Sequence, residues 1–400
     1  MKRDSLKKLF IMVVLCSSVS ILYLYTQIHV TATRSSQDGE QKEVKMEIRL
    51  PVKELLKRKM NGEEPNEKGE MDAVGITTEN SRFTSQQLTT TQQKYCNVIT
   101  GLEFSGTERE ELQKGRLNTR KGKIPIYVYG RNDFVSRSIL DFGEFEADKL
   151  RTLNTLLEND TDLHLIDIGC SVGVFTLNAA ALGRRVVAVD ANIETLKRLH
   201  KSLVENNFTH LVTIVHNTIY DKRNVLTRVV IPDVNIGGSA VISEEMKNKY
   251  FGNESKVSLP HDTDDKPFGD LDDSRNSSEN ANTFNTTGGG SRESFTMGSP
   301  VVSILFDDLL EVIQFKKAIL KMDIEGGEYK ALRAASDIFN RIKICFIIME
   351  WFRINPKYRE GVWNFFKIRG YLPYQDLEMK IPWLDISHLQ LDIFWNKENC

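Results

Sequence analysis

The segment from Leu163 to Asp190 constrains the fold of this chain more than any other. A short apolar run ends at Ile168 and is followed by a turn bracketed by Gly169 and Gly173. An apolar helical pattern and a second apolar run then lead to Asp190. Short β-rich runs and glycine turns in the order strand, turn, helix, strand predict a doubly wound α/β sheet.

The turn after the first strand has the properties of a cofactor site. Gly169 lacks a Cβ where the backbone turns sharply or approaches a ligand, and the next helix points its first N–H groups at the turn. Asp190 ends the second strand, where a carboxylate can accept hydrogen bonds from two ribose hydroxyls. The segment therefore predicts an adenosine-containing cofactor. A purely structural turn would explain the glycines but not the acids at both strand ends.

The spacing of the turn discriminates between cofactors. Val174 and Phe175 follow the second glycine, so the third glycine of the dinucleotide fingerprint is missing, and the chain has no Tyr-x-x-x-Lys pair. Asp167, two residues before Gly169, offers an anion to the positively charged amino-acid end of S-adenosylmethionine. Charge complementarity thus favours this cofactor over a nicotinamide dinucleotide.

The same turn also matches the nucleophile elbow G-x-S-x-G of hydrolases, with Ser171 as the nucleophile. Asp385 and His388 lie downstream as possible partners. However, only a short structured stretch precedes the turn, and no His-Gly-Gly run supplies an oxyanion hole. The hydrolase is therefore the less favoured alternative.

A second group of acids follows the apolar run that starts at Ile319: Asp323, Glu325 and Glu328 surround two glycines, and Glu350 ends the next apolar run. Acids crowded at the carboxyl edge of a sheet raise one another's pKa, which favours a site. Alternatively, Glu325 and Glu328 only favour the N-terminus of the next helix. We expect Asp323 or Glu325 to act as general base and Glu350 to orient it or serve as a second acid. The spacing of these acids does not define a complete set of metal ligands, so no metal ion is predicted; a divalent cation bridged by the converging carboxylates is the alternative.

The sequence resembles the FkbM-like methyltransferases between about Phe142 and Phe352. The likeness rests on DIGCSVGVFTL at 167–177, VVAVDA at 186–191, NIGGS at 235–239, FDDLL at 306–310, KMDIEGGEYKAL at 321–332 and IIMEWF at 347–352. It implies a Rossmann-like class I methyltransferase fold that uses S-adenosylmethionine, usually for O-methylation. Two departures are Cys170-Ser171, where the family commonly has Ala-Asn, and an expanded region between Asn235 and Phe306. The residues expected to bind the cofactor are Asp167, Gly169, Cys170, Ser171, Gly173, Asp190 and Asn217.

The segments after Glu350 complete the predicted sheet. Gly361–Arg369 has the pattern of a helix, and Tyr371–Tyr374 and Leu389–Trp395 have the pattern of a closing strand pair. We therefore expect a mixed sheet of about seven strands with helices on both faces.

The N-terminal part predicts a membrane-anchored architecture. Basic residues precede an apolar run, so residues 1–8 are expected to form a cytosolic tail and 9–30 a type II signal anchor; a cleaved signal peptide is the alternative. Residues 31–95 are polar and predict a disordered stem, and 96–400 the methyltransferase domain with a disordered insert at 246–300. Sequons start at Asn159, Asn207, Asn253, Asn276 and Asn285.

These features together suggest a Golgi or other secretory-pathway protein whose catalytic domain faces the lumen. A bridge between Cys96 and Cys400 would be plausible there. The net charge of −2 indicates no nucleic-acid partner. A glycan or another lumenal group is the expected acceptor. The alternative is a non-enzymatic, membrane-tethered binding or adaptor protein on a degenerate methyltransferase fold.

Overall fold

The computed structural model describes residues 86–104, 112–233, 235–251, 256–260, 292–384, 386, 391–398 and 400. All of them belong to one compact unit, Ser81–Cys400. The predicted tail and anchor and most of the stem lie outside the described residues, as do Asp385 and His388. Among the helices that are described, none combines the length and apolarity needed to cross a membrane.

The described strands form three sheets. In chain order the strands are β1 Gln86–Gln92, β2 Asn97–Phe104, β3 Gln113–Thr119, β4 Gly122–Val128, β5 Leu163–Ile168, β6 Val186–Asp190, β7 Val212–His216, β8 Thr218–Ile219, β9 Leu226–Pro232, β10 Ala240–Ser243, β11 Lys256–Pro260, β12 Arg292–Ile304, β13 Lys317–Met322, β14 Lys343–Glu350, β15 Tyr371–Tyr374 and β16 Asp392–Lys397.

The central sheet has nine strands in the order β1-β2-β7-β6-β5-β13-β14-β16-β15. From β7 to β14 the strands are parallel, and β16 pairs antiparallel with β14. The strand order from β7 to β14 is that of a doubly wound sheet. The order in which successive strands are added reverses between β5 and β13, while the strands themselves stay parallel. The predicted α/β class and mixed sheet are thus confirmed, with the hairpin β1–β2 as an added edge.

The described helices are α1 Phe134–Phe142, α2 Ala147–Asn159, α3 Val174–Ala181, α4 Ile193–Glu205, α5 Glu244–Phe251, α6 Glu328–Arg333, α7 Asp337–Arg341 and α8 Pro356–Lys367. Helices cover both faces of the central sheet, whereas α5 packs on β9 and β10. Alternate residues of β5 enter two separate cores: Ile166 and Ile168 pack with α6, α7 and α8, whereas Leu163 and Leu165 pack with α2, α3 and α4. Short 3-10 helices span Ile236–Gly238 and Phe306–Glu311.

A second, mostly antiparallel sheet has the order β10-β9-β12-β11, and β8 pairs with β12 in parallel. Its strands β11 and β12, together with α5, overlap the ends of the range 246–300, for which the sequence predicts a disordered insert. Phe295 is buried and Met297 packs beside it, so one face of β12 is apolar. Two apolar residues among polar ones are too few for a sequence pattern to reveal a strand. Likewise, β1 falls inside residues 31–95, for which the sequence predicts a stem.

The disulfide joins Cys345 to Cys400, so the expected bridge between Cys96 and Cys400 is wrong. Cys96 is fully buried, and its thiol donates a hydrogen bond to the carbonyl of Asp308. Because β16 runs antiparallel to β14, the chain after β16 returns to the beginning of β14, where Cys345 lies.

Candidate functional site

A cleft lies at the carboxyl ends of β5, β6, β7 and β13, with about 1030 Å³ of empty space that is partly open to solvent. Strand ends beside the point where the sheet order reverses are the usual ligand site of such folds. Six of the predicted site residues line the cleft: Gly169, Ser171, Asp190, Asn217, Asp323 and Glu325. Four others, Asp167, Cys170, Gly173 and Glu350, do not line it.

The turn after β5 requires its two glycines. Gly169 has a φ of 76°, and a Cβ there would lie 1.8 Å from the carbonyl oxygen of Asp323. Gly173 has a φ of 91°, and its Cβ would lie 2.3 Å from Leu199 Cδ1 on α4. Positive φ is tolerated by glycine without steric cost. The turn can therefore touch both the acidic loop after β13 and the helix that follows β6.

Asp190 links the two loops expected to hold an adenosine. Its Oδ2 accepts a hydrogen bond from the Ser171 N–H at 2.9 Å, and its Oδ1 accepts one from the Asn192 N–H at 2.8 Å. Burial raises its pKa, and the two N–H donors oppose that rise. Each carboxylate oxygen keeps a further lone pair, so Asp190 can still accept hydrogen bonds from ribose hydroxyls.

Two predicted cofactor residues have side chains that the fold already packs or bonds. The thiol of Cys170 packs in the core, where burial raises its pKa well above the ordinary value. The Asn217 amide is engaged, since Oδ1 accepts from Asn97 N–H and Nδ2 donates to the Val302 carbonyl. Any contact of Cys170 or Asn217 with a cofactor would therefore come mainly from the backbone.

Asp167 is completely buried beneath the turn. Its Oδ2 accepts a 2.6 Å hydrogen bond from Thr176, and its Oδ1 has no hydrogen-bond partner among the described residues. Burial raises its pKa, while Lys321 and Thr176 oppose that rise. An unsatisfied buried oxygen is costly, so a bound group or a water molecule that donates to it would stabilise the site.

The acids Asp323, Glu325 and Glu350 converge as predicted. One carboxylate oxygen from each lies within 4.8 Å of the others, and all three side chains are half-buried. Cations flank the group: Lys321 Nζ lies 3.4 Å from Asp323 Oδ2, and Arg353 Nε lies 3.2 Å from Glu325 Oε2. Neighbouring parallel strands β13 and β14 end side by side, which brings the acids together.

The three acids differ in protonation. Burial would raise the pKa of Asp323, but the ammonium groups of Lys321 and Lys149 hold it below the ordinary value. Burial and the charge of Asp323 raise the pKa of Glu325 to about 7. Burial and the charges of Asp323 and Glu325 raise the pKa of Glu350 well above its ordinary value. The pKa of Asp323 is thus shifted in the opposite direction from the pKa values of Glu325 and Glu350, so Asp323 is the most acidic of the three carboxyl groups.

Glu328 stabilises the acidic loop after β13 through a hydrogen bond to its backbone. It is completely buried, and its Oε1 accepts a 3.0 Å hydrogen bond from the Ile324 N–H. Burial raises its pKa to about 8. Glu328 begins α6, and its side chain bonds back to the preceding loop. This geometry favours the structural role, in which Glu328 stabilises the N-terminus of the helix and the loop before it.

Lys321 is a site residue that the motif at 321–332 contains but does not by itself reveal. Its buried Nζ donates a 2.7 Å hydrogen bond to the Gly169 carbonyl and also pairs with Asp323. Lys321 therefore connects the cofactor turn with the acidic loop. A lysine inside an otherwise apolar strand was the available signal, because isolated charges are rarely buried without partners.

The geometry defines a class of protein: an α/β protein with an adenosine-type cleft and an acidic cluster beside it. Residues 167–377 match the family "Methyltransferase FkbM domain", which is more than half of the chain, and the protein belongs to that family. This membership confirms the resemblance seen in the sequence and the Rossmann-like class I methyltransferase fold. Family and fold together imply S-adenosylmethionine as the cofactor.

Solved structures give weaker likenesses. One is a precorrin-6y C5,15-methyltransferase from Geobacter metallireducens GS-15, with 12% identity and a TM-score of 0.27 over 62% of this chain and 86% of that chain. Another is a SAM-dependent methyltransferase from Agrobacterium tumefaciens, with 10% identity and a TM-score of 0.33 over 75% of this chain and 74% of that chain. Such values carry no argument about function. No curated protein sequence matches the chain.

Proposed function

We propose that this methyltransferase transfers the methyl group of S-adenosylmethionine to a hydroxyl oxygen, with a glycan or another lumenal molecule as acceptor. The observation that carries the proposal is the acidic cluster beside the cofactor cleft, in which an ionised Asp323 lies next to carboxyl groups with raised pKa values. An attacking hydroxyl must lose its proton, and an ionised carboxylate is a suitable acceptor.

The residues present fit the cofactor. Asp190 would bind the ribose hydroxyls, and backbone groups of the turn from Gly169 to Gly173 would bind the amino-acid end, with the unpaired Asp167 Oδ1 beneath it. The bound cofactor supplies an electrophilic methyl group. The protein contributes by holding donor and acceptor in line, which lowers the entropic part of the barrier.

Asp323 is the proposed base, and Glu350 is the residue that orients it. A side-chain hydrogen bond between Glu350 and Asp323 contributes to lowering the pKa of Asp323. Glu325, with its pKa of about 7, is the second candidate base because it changes charge close to neutral pH. Lys321 and Arg353 partly neutralise the cluster, and the proposed mechanism uses a carboxylate as the proton acceptor without routing a step through a metal ion.

Two features support a lumenal location. Disulfides persist in oxidising compartments, and this fold contains Cys345–Cys400. The sequon residues Asn159 and Asn207 are exposed. They precede β5 and β7, so they lie at the amino ends of the strands, opposite the cleft. Glycans there would leave the cleft accessible.

The location has a direct test. The full chain is expressed in secretory cells, and its mobility is compared before and after treatment with peptide N-glycosidase. We expect a shift that is reduced by Asn159→Gln and Asn207→Gln. A chain without any N-glycan, or one with its catalytic part accessible to protease from the cytosolic side, would contradict the lumenal assignment.

The catalytic proposal is tested with Asp323→Ala in the full-length protein. Labelled methyl transfer is screened on glycan arrays, and S-adenosylmethionine binding is measured by calorimetry. We expect turnover to fall by about 10²–10⁴-fold while cofactor affinity changes little, because general-base catalysis is worth that much. Activity should persist in EDTA. Unchanged turnover would remove Asp323 from the mechanism, and cofactor binding without transfer to any acceptor would favour the non-enzymatic alternative.

A further inference from the structure

One wall of the cleft is the glycine loop, which we define as Asn235–Ser239. Its residues Ile236, Gly237 and Ser239 line the cleft. A Cβ on Gly237 would lie 3.4 Å from Ser171 Oγ, and a Cβ on Gly238 would lie 3.1 Å from Glu325 Oε1. The glycine loop therefore lies between the cofactor turn and the acidic cluster.

The glycine loop is held by a residue far away in the sequence. Asp133 is 2% exposed, and its Oδ1 accepts hydrogen bonds from the Ile236 N–H at 2.8 Å and the Gly237 N–H at 3.4 Å. Its Oδ2 accepts from the Ser136 N–H at 2.8 Å and the Ser136 hydroxyl at 2.5 Å. One carboxylate thus caps α1 and fixes a wall of the cleft.

An aspartate at position 133 is better explained by its bonds to the glycine loop than by the capping of α1. Serine, asparagine and aspartate cap helices about equally well, so capping α1 does not by itself demand a carboxylate. Only a carboxylate offers two acceptor oxygens, so Asp133 can accept from α1 with one oxygen and from the glycine loop with the other. Hydrogen bonds to an ionised acceptor are also stronger than neutral ones.

We propose that Asp133 is a positioning residue for the S-adenosyl cofactor: it holds the glycine loop against Ser171 and Glu325 and so sets the affinity of the cleft. This proposal rests on the cofactor cleft and not on the identity of the acceptor. Asp133 lies outside the segment that matches the FkbM family, yet it completes a site inside that segment.

The test uses Asp133→Ser in the full chain. Serine retains an oxygen for the cap of α1 but cannot also reach the glycine loop. Asp307→Ser is the matched control, because Asp307 accepts hydrogen bonds from the N–H groups of Ser336, Asp337 and Ile338 at the start of α7 and does not line the cleft. Binding of S-adenosylhomocysteine is measured by calorimetry, hydrogen exchange reports on 235–239, and urea unfolding reports on stability.

We expect Asp133→Ser to weaken S-adenosylhomocysteine binding about tenfold, or ~1.4 kcal/mol, and to speed exchange at 235–239, with no greater loss of stability than Asp307→Ser. The conservative Asp133→Asn should recover part of the affinity. The proposal would be overturned if Asp133→Ser bound S-adenosylhomocysteine within twofold of wild type, or if Asp307→Ser lost as much affinity for it as Asp133→Ser. A wild-type chain that binds S-adenosylhomocysteine but methylates no glycan would refute only the proposed acceptor.

Discussion

Substituting Gly169 by alanine tests whether the cofactor turn and the acidic loop are packed as tightly as the structure indicates. The new Cβ would lie 1.8 Å from the Asp323 carbonyl oxygen, so the loops must separate by about 1.2 Å to reach the 3.0 Å below which real contacts are essentially never found. That shift strains two hydrogen bonds, Lys321 Nζ to the Gly169 carbonyl at 2.7 Å and Asp323 N–H to the Ile168 carbonyl at 3.0 Å.

The expected magnitude follows from these contacts. Positive φ costs an alanine about 1–2 kcal/mol. A lost hydrogen bond costs about 0.5–1.5 kcal/mol, and one from a charged group about 1.5–3. We therefore expect Gly169→Ala to lower the free energy of unfolding by about 4 kcal/mol and to abolish measurable S-adenosylmethionine binding.

Gly183→Ala is the matched control, because Gly183 has a φ of 75° but nothing within 4 Å of its Cβ position. Gly183→Ala should lower the free energy of unfolding only by the cost of a positive φ in alanine. This cost is about 1 kcal/mol once the lower conformational entropy of the unfolded chain is subtracted. Both variants are unfolded in urea and titrated with cofactor by calorimetry. Equal losses of stability in the two variants, or normal cofactor binding by Gly169→Ala, would refute the close approach of the two loops.

Three other substitutions have defined outcomes. Asp190→Ala should weaken S-adenosylmethionine binding by about 1.5–3 kcal/mol in calorimetry, because charge-assisted hydrogen bonds are lost. Cys400→Ser should lower the free energy of unfolding by about 2–4 kcal/mol, and reductant should then lower the unfolding midpoint of wild type but not of the variant. Burial raises the pKa of Glu325 from 4.5 to about 7, so wild type loses stability as pH rises through this interval. In urea unfolding, Glu325→Gln should lose less, and identical pH profiles would contradict the raised pKa.

The fold was largely predictable because its signals are local. Val186–Val189 and Ile344–Met349 are continuous apolar runs, and Leu163–Ile168 is apolar apart from His164 and Asp167, which is how strands buried on both faces appear in sequence. Asparagine is a preferred helix cap, and Asn192 at the start of α4 accepts a hydrogen bond from the Glu194 N–H. The edge strand β1 and the second sheet lack such runs, since their strands need apolar residues on one side at most.

The site was predictable only in part, for a related reason. The position of an acid at the end of a predicted strand indicates that it lies at the edge of the sheet, and Asp323, Glu325 and Glu350 do converge there. The position does not indicate which side chains form hydrogen bonds within the fold. The amide of Asn217, for example, bonds to β2 and β12. Nor does the position reveal contacts across long separations, such as that between Asp133 and Ile236.

The hairpin of β11 and β12 has a practical consequence for protein engineering. Pro260 pairs with Arg292, so the chain leaves and re-enters the second sheet at adjacent points. Doubling the length of a flexible connection between fixed ends costs only about 0.6 kcal/mol. The connection between the paired residues Pro260 and Arg292 is therefore a suitable place to splice in an epitope tag or a fluorescent reporter, or to shorten the chain for crystallisation. The cleft wall formed by β9 and β10 would keep its register.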